Sequence, residues 1–133
     1  MSQTMEIRLD GEARVDALYN GFEIRTDQSE KSGGGASAPE PFDLFLASLG
    51  TCAGIYVARF CQQRKIPIEG VRLVQSWSRD EKRRIEEIRI DIEVPEAFPE
   101  KYHAALVRAA DQCSVKRLIA SPPRMTTSLR VAP

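Results

Sequence analysis

Residues 41–64 read PFDLFLASLGTCAGIYVARFCQQR, and this apolar segment sets the architecture. It predicts one long helix, because Pro41 suits the first helical position and Asp43 can sit in the first turn against the helix dipole. Apolar residues occupy nearly every side, so we expect the central turns to be buried all round. Gly50 and Gly54 each cost about 1 kcal/mol relative to alanine, which makes sense if another backbone approaches closely between them.

The same segment has the character of a membrane span, but it is too short. Its most apolar part, residues 44–58, falls below the roughly 20 residues needed to cross a bilayer, and Arg59 follows directly. We therefore expect a buried core helix and no membrane anchor.

The chain before the helix alternates apolar and polar residues, as antiparallel strands do. Asn20-Gly21 is a strong hairpin signal, since both residues tolerate positive φ. A two-residue turn there places Tyr19 opposite Phe22, Asp16 opposite Arg25 and Arg14 opposite Asp27. A preceding loop over residues 10–12 is predicted to set Ile7 against Val15.

Residues 28–39 form a polar segment that contains Gly33-Gly34-Gly35. It lacks the GKS/T ending of a P-loop and the GxGxxG spacing of a dinucleotide fold. The segment is therefore interpreted as a flexible connector.

Beyond the long helix, alternation predicts strands over residues 71–77 and 88–94. A second helix is expected from about Pro99, followed by a short helix capped by Ser114 and a last strand over Met125–Val131. The order βββ–α–ββ–αα–β predicts an α+β fold, with a mainly antiparallel sheet packed on helices, in a single domain over residues 1–133.

Composition excludes several classes of function. The chain has 133 residues, 14.9 kDa, and nineteen basic side chains balance nineteen acidic ones. A nucleic-acid binder would carry a basic excess or stripe, so we expect no nucleic-acid partner. No apolar signal region is visible in residues 1–10, so a cytoplasmic protein is expected.

Three cysteines, Cys52, Cys61 and Cys113, are too few for a secreted disulfide framework. With no CxxC and a single histidine, His103, no metal site is expected. Taken by itself, each cysteine is best interpreted as a core residue. Cys52 and Cys61 lie nine positions apart, half a turn out of phase and about 13.5 Å along the helix, so they cannot form a disulfide within it.

Two motifs carry a resemblance to a known family. Residues 41–52, PFDLFLASLGTC, resemble the start of the central helix in the OsmC/Ohr superfamily. Residues 109–115, AADQCSV, resemble the second cysteine motif of that superfamily. The glycine-rich loop and the order of strands are similar as well.

This resemblance implies an OsmC-like fold that forms an intertwined homodimer with two sites near the subunit interface. It also implies a two-cysteine thiol peroxidase that acts on organic hydroperoxides in defence against oxidative stress. Cys52 would then be the peroxidatic thiolate and Cys113 the resolving thiol, restored by an external dithiol reductant without a cofactor. The arginine that activates the peroxidatic cysteine would be Arg14, with Arg8 and Arg25 as alternatives.

Two positions depart from the family pattern. Phe42 stands where the peroxidases carry a glutamate after the helix-starting proline, and Ser114 stands where proline usually follows the second cysteine. An alternative function is therefore a module that binds a small apolar ligand or senses redox state with little turnover. If Arg14 is tied to Asp27, Cys52 should stay largely protonated and react slowly. Cys52 and Cys113 should lie close enough to pair under oxidation.

Overall fold

The computed structural model describes residues 3–133, which divide into two compact units, one that ends at Ala47 and one over Ser48–Pro133. Antiparallel strands and one long helix give the α+β architecture predicted from the sequence.

The first unit contains a three-stranded antiparallel sheet. Its strands are β1 (Glu6–Gly11), β2 (Arg14–Tyr19) and β3 (Phe22–Thr26), paired in that order. The Asn20-Gly21 hairpin is confirmed, because Tyr19 faces Phe22 and Asp16 faces Arg25 in the observed register.

The register of the first hairpin was predicted wrongly. Ile7 faces Ala17 instead of Val15, and the pairing shifts between Leu9 and Gly11. Such a bulge inserts one unpaired residue, so β1 keeps its apolar side chains on the predicted face although the turn is displaced.

The predicted pairing of Arg14 with Asp27 is also wrong. Arg14 Nη2 donates to the Asp10 carbonyl oxygen at 3.3 Å. The Asp27 carboxylate instead accepts from the backbone N–H groups of Gln28, Gly35 and Ser37 and from the Ser37 hydroxyl.

This network makes the glycine-rich segment an ordered loop and not the flexible connector that was expected. The Ser37 hydroxyl, followed by the backbone N–H groups, lowers the pKa of Asp27 to about 2. Gly34 is required at its position, because a Cβ there would overlap the backbone carbonyl of Gln28.

Helix α1 spans Pro41–Gln63, as predicted to within one residue. By length and composition it could cross a membrane, but a core helix of a soluble protein passes the same test. The prediction of burial all round is wrong for the single chain: Ile55 and Arg59 lie exposed on one side. The opposite side forms the core of the second unit through Ala53, Val57 and Phe60.

Gly50 has a different neighbour from the one expected. A Cβ at this position would meet Oε1 of Gln75 at 2.5 Å, so a strand side chain and not a backbone approaches the helix. A Cβ at Gly54 would meet nothing within 4 Å in this chain.

The rest of the second unit contains one β-hairpin and two short α-helices. The hairpin strands, β4 (Arg72–Arg79) and β5 (Ile85–Glu93), pair antiparallel. Helices α2 (His103–Ala110) and α3 (Ser114–Ala120) follow. Phe98, Leu106 and Ala110 close the core against α1.

The last predicted strand does not form within the chain. Residues 122–133 have no regular secondary structure, and Met125, Leu129 and Val131 are 83%, 89% and 90% exposed. Alternation predicts two faces of an extended segment, but a strand also needs a neighbouring backbone with which to bond.

Candidate active site

The two cysteines of the quoted motifs come together in the second unit. Cys52 lies in the middle of α1, and Cys113 lies between α2 and α3. Helix α2 ends at Ala110, and the extended backbone of Cys113 (φ −49°, ψ 124°) starts the next helix. This turn brings the N-terminal residues of α3 to the side of Cys52, where Cys52 Sγ lies 3.5 Å from the Ser114 hydroxyl oxygen.

Cys113 is the buried member of the pair. Its sulfur caps α3 by accepting the Lys116 backbone N–H at 3.4 Å, and its thiol is directed to the Leu49 carbonyl oxygen at 3.9 Å. Burial is the main cause that raises the pKa of Cys113. At neutral pH this thiol is therefore protonated.

Cys52 is only partly buried, which corrects the interpretation of a core cysteine. The Ser114 hydroxyl, followed by the Val115 backbone N–H, lowers the pKa of Cys52 from 9.0 to about 7. Burial opposes this shift, while the Cys113 thiol and the Ser114 backbone N–H add to it. The condition set for a largely protonated Cys52, an Arg14 tied to Asp27, is not met in the structure.

The two thiols thus differ in the way that a two-step redox reaction requires. Cys52 is accessible and about half ionised at pH 7, and the thiolate is the nucleophilic form of cysteine. Cys113 is enclosed and protonated. Cys52 can attack an incoming electrophile, and Cys113 is adjacent to the sulfur that would be oxidised.

Cys61 is separate from this pair. It lies fully buried in the core cluster, and burial raises its pKa, with Arg64 partly opposing the shift. These surroundings suit the packing role predicted for it.

The candidate arginines all have partners within the first unit. Arg8 contacts Asp16 at 3.5 Å and Glu23 at 3.2 Å, and Arg25 contacts Glu23 at 3.4 Å. Arg14 donates to the Asp10 carbonyl, as described above. A role of Arg14 in activating Cys52 stays a prediction.

The position of the family glutamate is occupied by an exposed aromatic ring. The Phe42 ring packs on Phe45 with 5.4 Å between centroids. Asp43, the next residue, accepts the Glu40 backbone N–H at 3.0 Å, so its carboxylate is used at the start of α1.

A cavity of about 570 Å³ borders the buried thiol. Leu49, Ala53 and Ile90 are among its apolar lining residues, and Cys113 is part of its wall. Lys116 and Asp111, paired at 2.7 Å, supply charge in the lining. The volume suits a small, largely apolar molecule.

No group of three His, Cys, Asp or Glu side chains within residues 3–133 could hold a metal ion. The site residue that the sequence analysis missed is Ser114. Its hydroxyl was predicted to cap α3, but the cap is one residue earlier, at Cys113.

The site is thus a pair of neighbouring free thiols on an α+β frame with a long helix. The family model described as OsmC-like protein matches residues 33–128, and the chain belongs to this family. A search of curated proteins finds no match.

Solved structures share the fold at low sequence identity. A protein from Psychrobacter arcticus 273-4, described as an osmotic stress induced and detoxification response protein, is 24% identical over 88% of each chain, with a TM-score of 0.73. The organic hydroperoxide resistance protein OsmC of Legionella pneumophila is 17% identical over 90% of this chain and 89% of its own, with a TM-score of 0.56. The organic hydroperoxide resistance protein OhrB of Bacillus subtilis is 16% identical over 90% and 93%, with a TM-score of 0.54.

Proposed function

We propose that this protein is a cysteine-based thiol peroxidase that reduces organic hydroperoxides in defence against oxidative stress. The observation that carries the proposal is the pair of unequal thiols: an accessible Cys52 with a pKa of about 7 beside a buried, protonated Cys113. Membership of the OsmC-like family and the names of two structural neighbours support the substrate class.

In the first step, the Cys52 thiolate attacks the terminal oxygen of the hydroperoxide. A sulfur–oxygen bond forms, the O–O bond breaks, and the alkoxide takes a proton and leaves as the alcohol. Cys52 becomes a sulfenic acid, so the sulfur is oxidised by two electrons and the peroxide is reduced.

In the second step, the Cys113 sulfur attacks the sulfenic sulfur of Cys52. A disulfide forms and the hydroxyl leaves with a proton as water. An external dithiol then reduces the Cys52–Cys113 disulfide through a mixed disulfide and is itself oxidised, which completes the cycle. No cofactor takes part in these steps.

The cavity beside Cys113 suits the apolar part of an organic hydroperoxide. Its lining is mainly aliphatic and includes Cys113, whose thiol is hydrogen-bonded to Cys52. The apolar group of the substrate would lie in this cavity while its peroxide group extends past Cys113 to the Cys52 sulfur. Hydrogen peroxide has no such apolar group, so organic hydroperoxides are the expected substrates.

We further propose that the protein acts as a cytoplasmic homodimer. Apolar side chains stay exposed in the single chain on β1, at Ile7 and Leu9, and in the C-terminal segment, at Met125, Leu129 and Val131. Exposed apolar residues in this number favour burial against a second copy.

The second candidate function is a module that binds an apolar ligand or senses redox state. Phe42, which replaces the family glutamate and leaves an exposed ring near the start of α1, favours it. In this case Cys52 would be oxidised once and reduced slowly, without sustained turnover.

The test is stopped-flow oxidation of the fully reduced protein with a panel of alkyl, aryl and lipid hydroperoxides. Peroxidase function predicts rapid oxidation of Cys52, turnover when a dithiol is present, and loss of both in Cys52→Ser. The matched control, Cys61→Ser, should behave as the unaltered protein. Oxidation in a single cycle without turnover by any dithiol would support the sensing module instead.

A further inference from the structure

We propose that Ser114 is a catalytic residue whose hydroxyl donates a hydrogen bond to the Cys52 thiolate and sets its reactivity. Ser114 acts at the same Cys52 site as the proposed peroxidase, and its catalytic role rests on that proposed function.

The first ground is the placement of the hydroxyl. Ser114 Oγ lies 3.5 Å from Cys52 Sγ, within reach of a hydrogen bond to sulfur. The two residues lie 62 positions apart in the chain, so the contact depends on the packing of α3 beside α1 and not on local backbone geometry.

The capping position of α3 is occupied by Cys113 and not by Ser114. A serine at the start of a helix ordinarily turns its oxygen to a backbone N–H of the first turn. Here the Cys113 sulfur already accepts the Lys116 N–H, and Ser114 is the first residue inside the helix. Its hydroxyl is therefore available to the neighbouring sulfur.

The two cysteines differ in their contact with the Ser114 hydroxyl. Both lie in the same part of the fold, yet only Cys52 faces the hydroxyl, and the direction of the pKa shift is opposite in Cys113. A charge-assisted hydrogen bond stabilises the thiolate but offers much less to the neutral thiol. The Ser114 hydroxyl thus lowers the pKa of Cys52, while burial raises that of Cys113, and the two effects together make Cys52 the nucleophile.

The experiment measures the pH dependence of Cys52 alkylation in the full-length reduced protein. Iodoacetamide labelling at short times is read by mass spectrometry of the Cys52 peptide, so the other two cysteines need no replacement. In Ser114→Ala the pKa of Cys52 should rise by about one, the effect of losing one partly exposed hydrogen bond to a charged group. Ser114→Thr, which keeps the hydroxyl, should restore it to near 7.

Ser121→Ala is the matched control, because it removes a hydroxyl at the other end of the same helix. It should leave the alkylation profile unchanged. Ser114→Gly serves as a second variant without the hydroxyl, and circular dichroism checks that each variant is folded.

The outcomes separate this proposal from the peroxidase proposal. An unchanged alkylation pKa in Ser114→Ala, or an equal rise in Ser114→Ala and Ser114→Thr, overturns the role of Ser114 even if the protein turns over hydroperoxides. A hydroxyl-dependent pKa in a protein without peroxidase turnover supports Ser114 and overturns the peroxidase.

Discussion

The rate at which Cys52 reacts with a hydroperoxide should follow the ionisation of a thiol with a pKa of about 7. At limiting peroxide the rate constant is proportional to the fraction of thiolate. That fraction rises about tenfold from pH 6 to pH 8 for a pKa of about 7 and then levels off. An unperturbed thiol with a pKa of 9.0 would rise by about 90-fold over the same interval and continue to pH 10.

The expected gain in rate at pH 7 is smaller than the gain in thiolate. A pKa of about 7 in place of 9.0 raises the thiolate fraction from about 1% to about 50%, a 50-fold increase. A less basic thiolate is also a weaker nucleophile, with a Brønsted coefficient of about 0.4–0.5, which removes roughly a factor of six to ten. The net advantage is about fivefold to eightfold.

The assay is stopped-flow oxidation of the reduced protein in single turnover from pH 5.5 to 10, with one alkyl hydroperoxide. Cys61→Ser should reproduce the profile, because burial keeps the pKa of that thiol raised, and Cys52→Ser should show no fast phase. A profile with its midpoint at 8.5 or above would refute the argument that the groups around Ser114 ionise Cys52.

Three further predictions concern the fold and the assembly. Gly34→Ala should lower the free energy of unfolding by roughly 1–3 kcal/mol, because the added Cβ would overlap the Gln28 carbonyl. The control, Gly35→Ala, would place its Cβ 3.5 Å from the Asp27 carboxylate and should be nearly neutral in thermal unfolding. Folding lowers the pKa of Asp27 from 3.8 to about 2. The ionised carboxylate therefore stabilises the folded protein above pH 3.8, and this stabilisation is lost as the pH falls through 2. In urea titrations, Asp27→Asn should be less stable than the unaltered protein at pH 5 and should lack this dependence on pH. Light scattering should find a dimer at micromolar concentration, and a stable monomer there would contradict the proposed assembly.

The sequence predicted those parts of the fold that local rules determine. Asn20-Gly21 set the second hairpin because its turn type needs two residues that tolerate positive φ, and both have it, at 51° and 78°. Helix α1 was predicted because Pro41 suits the first position of a helix and a long apolar segment follows it. The first hairpin register failed because a bulge leaves little trace in an alternating pattern.

The candidate site was predictable only in part. Cys52 and Cys113 were visible through their motifs, and the inward face of the second helix placed Cys113 toward the core. The contact of Ser114 with Cys52 was not predictable, because it requires a cysteine to take the capping position that serine ordinarily prefers. The available signal was that serine follows Cys113 where the resembling family usually has proline.

The cap formed by Cys113 also bears on the reduction potential of the thiol pair. Lys116 N–H bonds the Cys113 sulfur, and the Ser114 hydroxyl bonds Cys52, while both sulfurs are free thiols. Interactions present only in the dithiol state favour reduction, and each 1.4 kcal/mol of that preference raises the potential by about 30 mV. If both hydrogen bonds are lost on oxidation, a disulfide between these sulfurs is more oxidising than one between unperturbed thiols, and a less strongly reducing dithiol is sufficient to restore the pair.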